Sequence, residues 1–240
     1  MNFDQSALLA TVIFLGGVLS TVTGGGLSMI VIVIGSIFID VRAAIVLDLY
    51  ILIANQSAKT FFFHAFTRWD VVGWSVLLGI PFAFIGSWCL FLLPIDIVQR
   101  VVAVIATLFI SLRLFSFVPR LRCTRLRLIF IGAVSGFLSG ATGNGAIVRK
   151  PLFSAMGLSK EVMLGTTAFL SLIMTIPRLP AYAIHTPWSM SYVVFLCIAA
   201  GLLFLSAWIG KYILRYITPY IFDTLLNVII LLGALRLLLS

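Results

Sequence analysis

The sequence predicts an all-α polytopic membrane protein made of two homologous repeats, residues 1–119 and 120–240, each a glycine-turn helix pair followed by three transmembrane helices. Three observations predict it. Of 240 residues 62% are hydrophobic and 10% charged, against a globular norm of roughly half and a quarter, and mean hydropathy is +1.22. Runs such as Val71 to Leu93 and Tyr192 to Ile209 carry no ionised side chain and match the ~17 to 25 residues of a spanning helix. Residues 9 to 26 reappear 119 positions later as 128 to 145, pairing Leu9/Leu128, Gly17/Gly136, Leu19/Leu138, Ser20/Ser139, Thr23/Thr142, Gly24/Gly143 and Gly26/Gly145.

Helices are expected at 6–22, 27–39, 43–66, 70–93 and 96–117, and again at 128–141, 146–158, 161–184, 188–216 and 219–239. Turn-forming residues separate them. In chain order these are Thr23-Gly24-Gly25-Gly26, Asp40, Arg68-Trp69-Asp70, Pro94-Ile95-Asp96, the loop holding Arg120, Arg122, Arg125 and Arg127, Thr142-Gly143-Asn144-Gly145, Gly157, His185-Thr186-Pro187 and Thr218-Pro219. The same shift aligns Lys59 with Arg178 and Trp69 with Trp188, so the repeat extends beyond the glycine turns. Gly16, Gly132, Gly136 and Gly140 are read as close-packing residues between helices.

The segment after each glycine turn is short. About 12 residues span ~18 Å of a ~30 Å hydrocarbon core, so each turn belongs either to one broken helix, giving parallel repeats, or to a re-entrant hairpin, giving inverted repeats. Charge favours the hairpin. With the arginine loop in the cytoplasm, that arrangement also places Arg68, Lys160, Lys211 and Arg215 there, as the positive-inside bias requires. The broken-helix arrangement sends Lys160, Lys211 and Arg215 outward.

Several function classes lose support. The net charge of +9 is explained by basic loops rather than by a basic, aromatic-studded face, so no nucleic-acid partner is expected. Cys89, Cys123 and Cys197 show no metal or disulfide spacing, and neither a metal nor another cofactor is expected. Met1 to Gln5 carry no basic stretch, so the first span, rather than a removable signal peptide, is read as directing insertion. An intramembrane hydrolase would need Ser135 or Ser139 as nucleophile with His64 or His185 as base, yet neither serine lies on a recognisable nucleophile elbow. The chain is read as non-enzymatic. His64 is expected at a membrane interface and His185 in a solvated turn.

A helix that starts inside the bilayer presents backbone N–H groups and the positive end of its dipole, and an anion complements both. Gly24, Gly25, Gly26, Gly143 and Gly145 let a ligand approach the backbone, and Thr23, Thr142 and Asn144 add side-chain donors. Charges within spans are the second clue, because each is expensive in lipid and normally faces a cavity or a partner. Arg149 and Lys150 lie one turn into the second short helix, and either joins the anion site or snorkels to the interface. Lys59 and Arg178 occupy equivalent positions, which an inverted two-fold would place one nearer each face, at gates or vestibules along the path. Pro177 and Pro180 flank Arg178 and should kink its helix. Asp48, whose repeat equivalent is Thr167, is read either as a counter-ion or as a proton carrier.

The paired glycine turns, Pro151-Leu152-Phe153 and Gly165-Thr166-Thr167 resemble the TauE/SafE family of sulfite and sulfonate exporters over nearly the whole chain. The first half departs from that pattern, with Ile32 in place of the proline and Val46-Leu47-Asp48 in place of Gly-Thr-Ser. Arg149-Lys150 is also unlike the hydrophobic residues that commonly precede the proline, and its positive charge suits a doubly charged anion such as sulfite. The resemblance implies export of a small sulfur oxyanion or organosulfonate across the cytoplasmic (inner) membrane, with Thr166 and Thr167 beside the substrate. An anion channel, an importer of the same substrates and a structural membrane protein are the competing readings. Surface glycines leave room for a homodimer within the lipid bilayer.

Overall fold

The computed structural model describes residues 3–23, 25–94, 96–97, 100, 104, 122–143, 145–146, 149, 152–153, 156–186 and 189–213. Every regular element among these is helical. Helix α1 (Phe3–Thr23) runs into the first glycine turn and α2 (Leu27–Gly35) leaves it; α3 (Val41–Phe63) ends in a 3₁₀ turn (His64–Phe66) and is followed by α4 (Trp69–Leu92). Helix α5 (Arg125–Thr142) runs into the second glycine turn. Then come α6 (Lys160–Thr175), a 3₁₀ turn (Ile176–Arg178), α7 (Leu179–Ile184) and α8 (Met190–Ile213). Beyond the second turn, residues 146, 149, 152 and 153 are helical. Most of the expected 96–117 helix and all of 219–239 lie outside the described residues, as do Gly24, Asn144, Lys150, Pro151 and Trp188.

Local chemistry sets the boundaries. Asp40 caps α3 by accepting from the Arg42 N–H at 2.8 Å, which satisfies one orphan donor of the first turn. The expected 27–39 helix stops at Gly35, and the Ser36 hydroxyl donates to the Val33 carbonyl at 2.8 Å as the chain turns toward Asp40. Gly143, at φ 79°, caps α5 by donating to Ser139 O at 3.0 Å, a left-handed exit that favours glycine. The kink expected near Arg178 is a 3₁₀ turn at Ile176–Arg178, because Pro177 and Pro180 cannot donate to the preceding turn.

Four spans, Val41–Phe66, Trp69–Leu92, Lys160–Ile184 and Met190–Ile213, are long and apolar enough to cross a membrane. Their pairing is exchanged between the halves. Helix α1 packs on α8 and α4 on α5, while α3 and α6 meet centrally and touch α8 and α4 respectively. Under the shift of 119, α1 becomes α5, α3 becomes α6 with α7, and α4 becomes α8, so the contact pattern maps onto itself.

Helix directions follow from named contacts. Gly132, Gly136 and Gly140 lie against Ser75, Gly79 and Ala83, so α4 and α5 run parallel in close register. Gly17 meets Ser206 and Gly210 meets Thr21, so α1 and α8 also run parallel. Gly165 packs on Phe63 and Phe66 while Arg178 acts electrostatically on Asp48, so α3 and α6 run antiparallel. Tyr50 stacks edge-on against Tyr192 and Lys211 lies over Phe62, which makes α3 and α8 parallel. Consequently α1 and α3 start at one end of the bundle and α5 and α6 at the other, so each glycine-turn pair enters and leaves on a single side. Arg68, Arg122, Arg125, Arg127, Lys160 and Lys211 share the end where α5 and α6 begin.

The glycine stripe of α5 is a backbone-to-backbone seam. A Cβ on Gly136 would overlap the carbonyl of Gly79, whereas a Cβ on Gly73 meets nothing within 4 Å. Gly136→Val is therefore expected to destabilise the protein by at least ~1 to 3 kcal/mol, lowering its thermal unfolding midpoint in detergent. Gly73→Ala is expected to leave that midpoint unchanged.

Candidate functional site

The two glycine turns, far apart in sequence, line one cavity. Its wall holds Gly25, Gly26 and Gly143, Gly145 from the turns, Ser20 and Ser28 from α1 and α2, Asn55 and Gln56 from α3, and Ser139, Arg149 and Ser171 from the second half. The cavity volume is about 20 Å³, room for about one water molecule. The first intrahelical bond of α2 is from Ile30 N–H to Gly26 O at 3.1 Å, so the amides of Leu27, Ser28 and Met29 form the positive end of that helix beside the cavity.

Arg149 supplies full positive charge. The residue is 1% exposed, which replaces the snorkelling alternative with a buried position. It donates to Ser171 Oγ at 2.5 Å and touches Met174 Sδ at 2.8 Å, and its Nε has no partner. A buried arginine with a neutral sulfur, one hydroxyl and an unused N–H has donor capacity for an anion.

Lys59 and Arg178 stand behind the cavity wall rather than at gates. The Lys59 Nζ donates to Ser20 O at 2.9 Å and Ser20 Oγ at 2.6 Å. Arg178 Nη1 donates to Ser139 Oγ at 3.3 Å. Lys59/Arg178 and Ser20/Ser139 are both pairs related by the shift of 119, so equivalent cations hold equivalent serines, each one turn ahead of its glycine turn. Arg178 also lies 4.9 Å from the Tyr182 ring centroid and donates to the Tyr182 hydroxyl at 3.3 Å. That hydroxyl in turn donates to Gly140 O at 2.8 Å. The network pins the end of α5.

The hydroxyls of Thr142, Thr166 and Thr167 do not face the cavity. Thr142 Oγ1 donates back to Leu138 O at 2.8 Å, the usual local choice for a hydroxyl within a helix. Thr166 Oγ1 accepts from the Arg68 backbone N–H at 3.0 Å and so fastens α6 to the α3–α4 turn. Thr167 is buried with its hydroxyl unpaired, and it does not line the cavity. Thr23 ends α1. Asp48 is fully buried against Gly143, outside the lining.

Sequence reasoning missed Ser28, Asn55, Gln56 and Ser171 as cavity residues; it treated Ser20 only as a repeat marker, and Ser139 as a repeat marker and as a candidate nucleophile of the disfavoured hydrolase reading. Asn55-Gln56 carried a signal: two consecutive amides within an apolar span. The Asn55 amide donates to Ser20 Oγ at 3.5 Å, and its carbonyl oxygen has no partner. Neither histidine approaches the serines through a hydrogen bond. His64 is exposed and bonds Phe61 O at 2.9 Å. His185 is exposed as expected, but it also stacks on Phe91 with ring centroids 3.8 Å apart and bonds Ala181 O at 2.8 Å.

A family model described as Sulfite exporter TauE/SafE matches residues 9–237. No curated protein and no solved structure matches the chain.

Tyr182 offers a test of the network that is independent of any transported ligand. Tyr182→Phe removes one hydroxyl and leaves both the Gly140 carbonyl and an Arg178 N–H unpaired in a buried position. The expected loss of stability is about 1 to 3 kcal/mol, read from unfolding in detergent.

Proposed function

Because the chain belongs to the TauE/SafE sulfite exporter family, a family of membrane transporters, we propose that it exports a small sulfur oxyanion or organosulfonate across the cytoplasmic membrane by alternating access at the cavity between its glycine turns. The observation that carries the reading is the convergence of both turns and the buried Arg149 on one cavity. Backbone amides of α2, Arg149, Ser171 and the amides of Asn55 and Gln56 bind the anion, and Lys59 and Arg178 add positive potential from behind. A dianion such as sulfite complements the resulting excess of cations over Asp48.

The repeats are inverted in this mechanism. Supporting that are the antiparallel α3 and α6, the return of each glycine-turn pair to its own side and the gathering of bases at one end, which becomes the cytoplasmic end. The exchanged pairing of α1 with α8 and α4 with α5 supplies two similar bodies that rock about α3 and α6. A cavity with room for about one water favours a carrier over an open channel. The substrate therefore enters only as one side widens.

Purified protein in liposomes is expected to move sulfite, sulfoacetate or sulfate and to exchange labelled for unlabelled anion. Arg149→Ala is expected to raise the half-saturating concentration about ten- to a hundredfold through loss of a charge-assisted bond. Absence of flux for all three anions, or currents far above carrier turnover, would overturn the reading. Single cysteines introduced at Lys160 and Thr186 are expected to label from opposite sides, with position 160 reached from the cytoplasmic face. Labelling from the reverse sides would instead require the parallel, broken-helix arrangement.

A further inference from the structure

Asp48 is the buried titratable group that the anion site leaves unused. It sits within α3 at 0% exposure, one layer behind the second glycine turn, with Oδ2 2.8 Å from the point where a Cβ on Gly143 would stand. Neither carboxylate oxygen has a partner at hydrogen-bond geometry, and the ion pair among the described residues is elsewhere, between Arg68 and Asp70. The groups facing Asp48 are Arg178 from the 3₁₀ turn, Tyr182 from α7 and the Ser28 hydroxyl from α2. Arg149 lies within electrostatic reach of Arg178. Gly143 separates Asp48 from the cavity that it lines.

This placement ties the carboxylate to the anion. An ionised Asp48 is faced by a single hydroxyl, that of Ser28, short of hydrogen-bond geometry, and by Arg178 beyond ion-pair distance, so its burial is only partly compensated. An anion entering the cavity adds a like charge on the other side of Gly143, which favours a proton on Asp48. By reciprocity, a proton on Asp48 favours the anion. A metal cation would need a shell of oxygen ligands, whereas Asp48 faces a glycine backbone, Ile32 at the same point and a repelling guanidinium. A proton needs only the carboxylate oxygen.

We propose that Asp48 binds a proton that crosses the membrane in the same direction as the anion. As the anion binds, a hydronium ion on that side gives its proton to Asp48, forming one O–H bond and leaving water; on the far side that bond breaks to water as the anion leaves. The inference rests on the anion-transport reading. A dianion then crosses with a single net negative charge. Interior-negative potential therefore drives its export with half the electrical force that acts on the bare dianion.

The experiment uses the full chain in liposomes with the membrane potential clamped at zero by potassium and valinomycin. Labelled sulfate, whose charge is fixed near neutral pH, and labelled sulfite are the probes. An inward proton gradient is expected to stimulate wild-type uptake about fivefold or more, with acidification of the lumen reported by a trapped pH dye. Asp48→Asn is expected to retain anion-for-anion exchange while losing both the stimulation and the acidification. Asp48→Glu is expected to keep both. Stimulation and acidification persisting in Asp48→Asn would overturn the proposal, as would wild-type flux without proton movement, which leaves the transport reading standing. Loss of exchange in both variants would make Asp48 a structural residue and equally overturn it. Absence of flux for every anion removes the transport reading and this proposal together.

Discussion

A backbone that turns inside a bilayer must find partners for its polar groups without water. Most of what surrounds the two glycine turns answers that requirement. Gly143 returns its own N–H to Ser139 O, Tyr182 caps the Gly140 carbonyl, and Lys59 takes the Ser20 carbonyl. Each solution lies within one helical turn of a glycine turn. Beside the cavity, the amides opening α2 and the guanidinium of Arg149 supply donors, against the one unpartnered acceptor of the lining, the Asn55 carbonyl oxygen. A site biased toward donors is a site for anions.

The burial of three cations near these turns has the same origin. A lone buried charge is costly, but a cation that satisfies a serine or a carbonyl beside a broken helix replaces a lost hydrogen bond while supplying potential. Lys59 and Arg178 do this for Ser20 and Ser139, and Arg149 does it for Ser171. The equivalence of the first two pairs ties the repeat in the sequence to a repeat in the chemistry. The third has no counterpart, since the shift takes Arg149 to Ile30. The two turns are therefore unequal walls of one cavity.

Much of this was legible in the sequence, because composition and the recurring glycine turn depend on residue type and spacing alone. The all-helical architecture, the kink at Arg178 and the close-packing role of Gly132, Gly136 and Gly140 belong to that category. Side-chain direction was not legible. Thr142 and Thr166 are good donors by type, yet one bonds its own helix and the other fastens a distant turn. The repeat equivalence of Lys59 and Arg178 suggests gates or vestibules nearer opposite faces, whereas each reaches a serine of a neighbouring helix. Asn55 and Gln56 escaped notice because they lie on a helix whose facing partner is set by tertiary packing.

The exchange of helix partners between the halves also bears on how the chain is made. Helix α1 precedes its companion α8 by most of the described chain, so it leaves the ribosome well before α8 does. Until α8 is made, the Gly17 side of α1 lacks its partner, and the first turn lacks the wall that the second half supplies. The cavity thus has all of its walls only once the second half, as far as Ser171, has been made. A truncated chain or a lone half would carry a glycine turn without its opposing wall, which makes such products natural targets for membrane quality control.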